Sequence, residues 1–323
     1  MACRDISKGK AAAESLLHTI KDAKIEVRSL DLTNFRSMRT FVKEIDHCDI
    51  LVNNAGAMFP ILDFVSCGSE KIEKTFMTNY LGPFYLTISL LPIMGVNKEK
   101  ASDDYPERRI VNVGSRLEKR SSLRDTMKST SIQKTLRETF VNGLNGNGDS
   151  KYNMWTAYAN SKLCNLLFTY ELSRRLTQDS YDHTNMRTSN IVVNAGKIIL
   201  PTKYSPGLVI FFCFKVTPGM VNTNLSRWLP TWQRFALAPI LPLVLRSPNQ
   251  GAEAVVRVAT SPALKGISGR FFDEKETPFD SSAASQSKEI ASSLWEESVR
   301  LIRSIEREIE EEDRLSAISN GQR

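Results

Sequence analysis

Tyr158 and Lys162 stand four residues apart in the run Tyr158-Ala159-Asn160-Ser161-Lys162. On a helix that spacing puts both side chains on one face. An ammonium beside a phenol favours the phenolate, so the pair is expected to draw the tyrosine pKa down toward the working range of a general acid/base. Such a pair alone is a weak signal, because any packed helix can carry one. Its surroundings strengthen it. A branched run from Arg109 to Val113 ends at Gly114-Ser115, and Asn53-Asn54-Ala55-Gly56 closes another apolar run.

Residues so far apart meet only if a regular scaffold carries them. Residues 7–22 have helical spacing, 25–30 read as a strand, and 34–45 as a helix behind the cap candidate Thr33. Residues 49–52 form a short buried strand before the Asn53–Gly56 turn, and 72–91 a long helix. A strand over 109–113 precedes a polar stretch, 119–150, that reads as a loop. Residues 155–176 form a helix with Leu163, Leu166, Leu167 and Tyr170 on one side. A strand over 189–194, a helix over 250–260 and a strand over 269–272 follow. Strand–helix alternation argues an α/β fold, a parallel sheet with helices on both faces. Ligands of such sheets sit beyond the carboxyl ends of the strands.

Composition narrows the function classes. Hydrophobic residues at 41% and charged residues at 24% exclude a disordered or fibrous chain, and 323 residues are enough for one large domain. The net charge of +7 is spread along the sequence, which permits phosphate-bearing ligands but does not mark a nucleic-acid binder. Five cysteines (Cys3, Cys48, Cys67, Cys164, Cys213) without a Cys-x-x-Cys pair read as free thiols of a reducing compartment inside the cell. The three histidines lack metal-ligand spacing, so no metal site is expected. No apolar run is long enough to span a bilayer, and the N-terminus has no apolar signal core. The doubly charged stretch 303–314 reads as a solvated helix or tail, dividing the chain into a domain over 1–300 and a charged segment over 301–323.

The sequence resembles the short-chain dehydrogenases/reductases over roughly residues 1–300. The resemblance rests on Asp31-Leu32, Asn53-Asn54-Ala55-Gly56, Asn79, Ser115, Tyr158, Lys162, Pro218-Gly219 and Thr223, in the family's order. Runs such as LVNNAGAM, RIVNVGSR and SKLCNLLFTYELSRRL are similar to its retinol-dehydrogenase and WW-domain-oxidoreductase branch, and to plant oxidoreductases of the Forever Young type. The resemblance implies a Rossmann-like doubly wound sheet. It makes Tyr158 the general acid/base, Lys162 its helper and a ligand of the nicotinamide ribose, Ser115 a donor to the substrate oxygen, and Asn79 the last member of the set through a water near Lys162. Independently, Pro83 lacks the N–H that would pair with the Asn79 carbonyl, which frees that carbonyl or simply kinks the helix. For the cofactor, the resemblance assigns NADP, with NAD as the second option. Arg4 would meet a 2′-phosphate, although the acidic Asp5 is adjacent. Asp31 with Leu32 would contact the adenine, or Asp31 serves only as a cap. Asn53, Ala55 and Gly56 would wall the cofactor, and Pro218, Gly219 and Thr223 would hold the carboxamide end.

Three departures stand out. The family's first strand and glycine-rich turn are missing, so the chain is expected to be N-terminally incomplete and to leave strand edges uncovered. Residues 196–215 read as an insertion between NIVVNA and VTPGMVNTN, of the kind left by a retained intron. Ser115 and Tyr158 are 43 residues apart, more than most of the family allows. Two functions follow: an oxidoreductase moving a hydride between nicotinamide and an apolar carbonyl or alcohol, or a catalytically impaired nucleotide-binding or regulatory protein on the same fold. The stretch 228–245, with Trp228, Trp232 and Phe235, is a candidate apolar cover for the substrate. Peripheral membrane contact and a homo-oligomer are compatible with either.

Overall fold

The computed structural model describes residues 1–95, 108–123, 132–141, 152–178, 191–197, 248–272, 278 and 280–321. Its elements, in chain order, begin with β1 (Ala2–Cys3), α1 (Ile6–Thr19), β2 (Arg28–Ser29), α2 (Phe35–Lys43) and β3 (Ile50–Asn53). A hairpin of β4 (Phe64–Cys67) and β5 (Glu70–Glu73) leads into α3 (Lys74–Phe76), a π turn (Met77–Leu81) and α4 (Gly82–Gly95). Then come β6 (Arg108–Gly114), a 3-10 turn (Arg116–Arg120), α5 (Ile132–Phe140), α6 (Met154–Gln178) and β7 (Ile191–Lys197). The described chain closes with α7 (Pro248–Thr260), β8 (Arg270–Phe272) and α8 (Lys288–Gly321).

The branched runs assemble as expected into a parallel sheet of order β3-β6-β7-β8. Along β6 the side chains alternate. Ile110 joins the large cluster with Leu90 of α4, Leu163 and Leu167 of α6, and Leu294 of α8. Val111 and Val113 face the other way, against Val255 and Val258 of α7. Period-two alternation with both faces apolar requires helices on both sides. β1 and β2 pair in parallel as a separate sheet. Among the described residues β3 pairs only with β6, and Ile50 and Val52 remain 43% and 38% exposed.

Several boundaries differ from expectation, each for a local reason. The cap of α2 is Asn34, whose Oδ1 accepts from Ser37 N, and not Thr33, whose hydroxyl donates to Asp31. Residues 72–73 belong to the β4–β5 hairpin, because Ile72 pairs with Val65 and Glu73 with Phe64. The polar stretch 119–150 contains α5, where Leu136 and Phe140, four apart, anchor the helix to the core. A division at residue 300 falls inside α8, whose Leu294, Leu301, Ile302, Ile305 and Ile309 are buried at helical spacing. Gly196 and Lys197, the first residues of the expected insertion, extend β7 opposite Val113 and Gly114. Residues 198–215 lie outside the described residues. No helix among the described residues is long and apolar enough to cross a membrane.

The helix entering α4 sets the position of Asn79, and one glycine fixes where it lies. The Gly82 N–H reaches the carbonyl of Met77, five residues back, and so closes the π turn. A Cβ on Gly82 would lie 2.2 Å from the backbone oxygen of Leu32. Helix propensity alone favours alanine over glycine by about 1 kcal/mol. The backbone clash outweighs it, because overpacking costs roughly 1–3 kcal/mol and the contacting atom cannot rotate away. Gly82→Ala is therefore expected to lower the melting temperature by several degrees. A rise in melting temperature on thermal denaturation would show that Leu32 yields easily.

Candidate active site

Every residue of the Tyr158–Lys162 run except Ala159 reaches a different segment of the chain. The run lies in the second turn of α6, which begins where Asn153 Oδ1 accepts from Trp155 N at 2.9 Å and Thr156 N at 3.2 Å. Tyr158 is hydrogen-bonded to the Ser115 side chain, beyond the carboxyl end of β6. Asn160 Oδ1 accepts from Ser121 Oγ at 2.8 Å and from Ser122 N at 3.1 Å. Ser161 Oγ accepts from Asn79 Nδ2 at 3.0 Å and donates to the Tyr158 carbonyl at 2.8 Å. Lys162 Nζ donates to the Val113 carbonyl at 2.8 Å. Asn160 and Ser161 were not singled out from the sequence. Their signal was available: two polar residues on a helix stretch that is otherwise buried need partners.

The four expected catalytic residues are thus brought together. Despite the long spacing, Ser115 meets Tyr158 because α6 packs directly on β6. Ser115 also opens the 3-10 turn, its Oγ accepting from Leu117 N at 3.3 Å. Asn79 acts through its side chain, which holds Ala57 at both ends. Its Oδ1 accepts from Ala57 N at 2.7 Å, and its Nδ2 donates to the Ala57 carbonyl at 2.8 Å.

The electrostatics correct one expectation. The tyrosine pKa does not fall: burial pushes Tyr158 up to about 12, against the smaller downward pull of the Ser115 hydrogen bond. Lys162 does not reverse this. Its Nζ is turned to Val113 and lies 5.6 Å from the Tyr158 ring centroid. Burial also weakens the amine, lowering its pKa to about 8. Desolvation disfavours both charged forms. At neutral pH Tyr158 therefore holds its proton as a donor.

Beside this set lies an open cradle. Asn54, Ala55 and Gly56 are exposed. A Cβ on Gly56 would stand 3.5 Å from Lys162 Nζ and 3.6 Å from Asn79 Oδ1, so the missing side chain leaves room over both. Among the described residues the Lys162 ammonium has one hydrogen-bond acceptor and two N–H groups to spare. That donor set fits ribose hydroxyls, so the chain's residues fit the nicotinamide end of a dinucleotide. Asn53 is turned away from the cradle. Its Nδ2 donates to Thr87 Oγ1 at 2.9 Å and to Asn112 Oδ1 at 2.8 Å, and Asn112 passes the chain on to Thr169. It tethers β3 to β6 and α4 and does not present its amide to a ligand.

At the far end, Arg4 follows β1, is exposed, and has no hydrogen bond or ion pair among the described residues. Asp5 is occupied as the cap of α1, accepting from Lys8 N at 3.1 Å and pairing with Lys8 Nζ at 3.2 Å. Asp31 Oδ1 accepts from Thr33 N and Thr33 Oγ1, at 2.9 and 2.7 Å, which is the turn-capping use. Leu32 is half-buried against the core. Among the described residues no glycine-rich turn joins a strand to a helix. Pro218, Gly219, Thr223 and the apolar stretch 228–245 lie outside the described residues.

The short chain dehydrogenase family profile matches residues 2–131. Human retinol dehydrogenase 13 is 30% identical over 314 residues, covering 94% of this chain and 76% of that protein. The chloroplastic short-chain dehydrogenase TIC 32 B of Brassica napus is 29% identical over 312 residues, covering 94% and 81%. The crystal structure of an uncharacterized protein from Mycobacterium paratuberculosis shares the fold, with a TM-score of 0.58, 24% identity, and 94% and 83% of the two chains covered.

Proposed function

The chain belongs to the short-chain dehydrogenase family, on its retinol-dehydrogenase-like branch, and from that premise we propose that it is an NADP-dependent reductase of an apolar aldehyde or ketone. That it is an oxidoreductase acting on CH–OH or C=O groups follows from the family. The choice of reduction is supported by the Tyr158 hydroxyl bonded to Ser115, whose burial pushes the phenol up to about 12 and so favours the protonated donor form.

The dinucleotide, when bound, would supply the hydride for the carbonyl carbon. The protein's own residues handle the oxygen. The Ser115 and Tyr158 hydroxyls lie within hydrogen-bond reach of each other, and each can donate to a carbonyl oxygen brought between them. As negative charge develops there, Tyr158 passes its proton across and the product leaves as an alcohol. Lys162 offers its two spare N–H groups to the ribose. The phenolate left after transfer is reprotonated from solvent. Asn79 keeps Ala57, and with it the Gly56 cradle, against Lys162.

NADP rather than NAD is supported by Arg4, which has no ion-pair partner among the described residues, and by the engagement of Asp5 with Lys8. A guanidinium fits a phosphate through charge-assisted hydrogen bonds. Arg4→Ala is expected to weaken NADPH binding about tenfold and leave NADH unchanged, read by fluorescence titration. Equal losses for both cofactors would assign Arg4 to packing. The four described cysteines, Cys3, Cys48, Cys67 and Cys164, are free thiols, which supports a reducing compartment.

A further inference from the structure

Tyr152 belongs to neither the acid/base set nor the cradle. It sits just ahead of α6, six residues before Tyr158. Its hydroxyl lies 3.2 Å from each of three oxygens: the Phe59 carbonyl, Glu73 Oε1 and Thr75 Oγ1. The carbonyl and an ionised carboxylate can only accept, so the phenolic proton is available to Phe59 and Glu73, while between Tyr152 and Thr75 either hydroxyl can donate.

Glu73 is 3% exposed and fully engaged. It caps α3, with Thr75 N at 2.8 Å from Oε1 and Phe76 N at 2.7 Å from Oε2. α3 runs into the π turn that carries Asn79. The loop from Ala57 to Phe59 is therefore pinned twice: Asn79 holds Ala57, and Tyr152 holds Phe59. One pin comes from the π turn that carries Asn79 and the other from the residue just ahead of α6, and Gly56 next to the first pin faces Lys162.

We propose that Tyr152 is a positioning residue, whose hydroxyl ties the Ala57–Phe59 loop and the start of the Asn79 helix to the start of α6. The tie fixes the distance between the Gly56 cradle and the Tyr158–Lys162 face. The inference rests on the reductase reading for its catalytic consequence, but the tie itself is a property of the free protein. A tyrosine placed only to fill space would work equally well as phenylalanine.

Tyr152→Phe keeps the ring and removes the tie. Hydrogen exchange of the Ala57–Phe59 amides in the free protein is expected to quicken at least threefold, roughly, with β6 amides unchanged. With NADPH and an apolar carbonyl, kcat is expected to fall about tenfold while the KM for NADPH stays within about twofold. Thr75→Val, which removes one of the three oxygens and leaves Tyr152 intact, should show the same local pattern at smaller size. Unchanged loop exchange in Tyr152→Phe overturns the tie. Faster loop exchange with unchanged kcat overturns the positioning role, as does acceleration spread equally over β6. Absence of turnover in the parent protein sinks the reductase reading and the positioning role with it, and the exchange result then still decides whether the tie exists.

Discussion

Tyr158→Phe is expected to lower carbonyl reduction by roughly 10²–10⁴-fold, the usual span of general acid/base assistance. The phenyl ring remains, so α6 keeps its packing on β6, and Lys162 keeps its bond to Val113. NADPH affinity is expected to stay within about twofold, because the hydroxyl faces Ser115 and not the Gly56 cradle. Only the proton donor is lost, and Ser115 is left with its donation unopposed. Steady-state rates with saturating NADPH, set beside fluorescence titration of the same variant, separate the two effects. A variant reducing the carbonyl at close to the parental rate would take the proton from another group and would return the protein to the nucleotide-binding reading.

The second large effect joins function to stability. Lys162 is 3% exposed, and its pKa falls from 10.5 to about 8 on folding. In the unfolded chain the amine stays protonated to about pH 10.5; in the folded chain it releases its proton near 8. Below pH 8 both states carry the charge and the burial penalty is complete, about 3 kcal/mol by linkage. Between pH 8 and 10.5 the unfolded state binds more protons, so this group makes the protein more stable as pH rises. Lys162→Met removes the penalty and orphans the Val113 carbonyl, which offsets about 1 kcal/mol of the gain. The variant is expected to be catalytically inert, to melt several degrees higher at pH 7, and to lose its advantage over the parent as pH approaches 10. Tyr158 titrates with the opposite sign only above pH 10, so the comparison is cleanest between pH 7 and 10. A methionine variant that melts lower at pH 7 would mean that the Lys162–Val113 bond outweighs desolvation.

The sheet was legible because its strands are branched, apolar and bounded by turn residues, and the alternation with helices left few other arrangements. The Tyr158–Lys162 run was legible because helical spacing makes two residues four apart neighbours. Other parts were not. The sense of the Tyr158 pKa shift depended on burial and on where Lys162 Nζ turned, and neither is written in a four-residue interval. α5 hid in a polar stretch because only Leu136 and Phe140 mark its buried side. Asn53 and Asn79 look alike in sequence, yet one faces inward to Asn112 and the other grips Ala57, a distinction set by tertiary packing. The inward stripe of α8 was masked by its density of charge, since acidic and basic residues crowd the run from Arg303 to Arg314.

The reductase assignment is tested most directly by following the hydride. The protein is incubated with NADPH dideuterated at C4 of the nicotinamide and a long-chain unsaturated aldehyde, and the alcohol formed is weighed by mass spectrometry. The expected product carries one deuterium on the carbinol carbon and forms only at background level with Tyr158→Phe. NADPH that binds but delivers no deuterium to any of a set of apolar aldehydes and ketones would contradict the assignment.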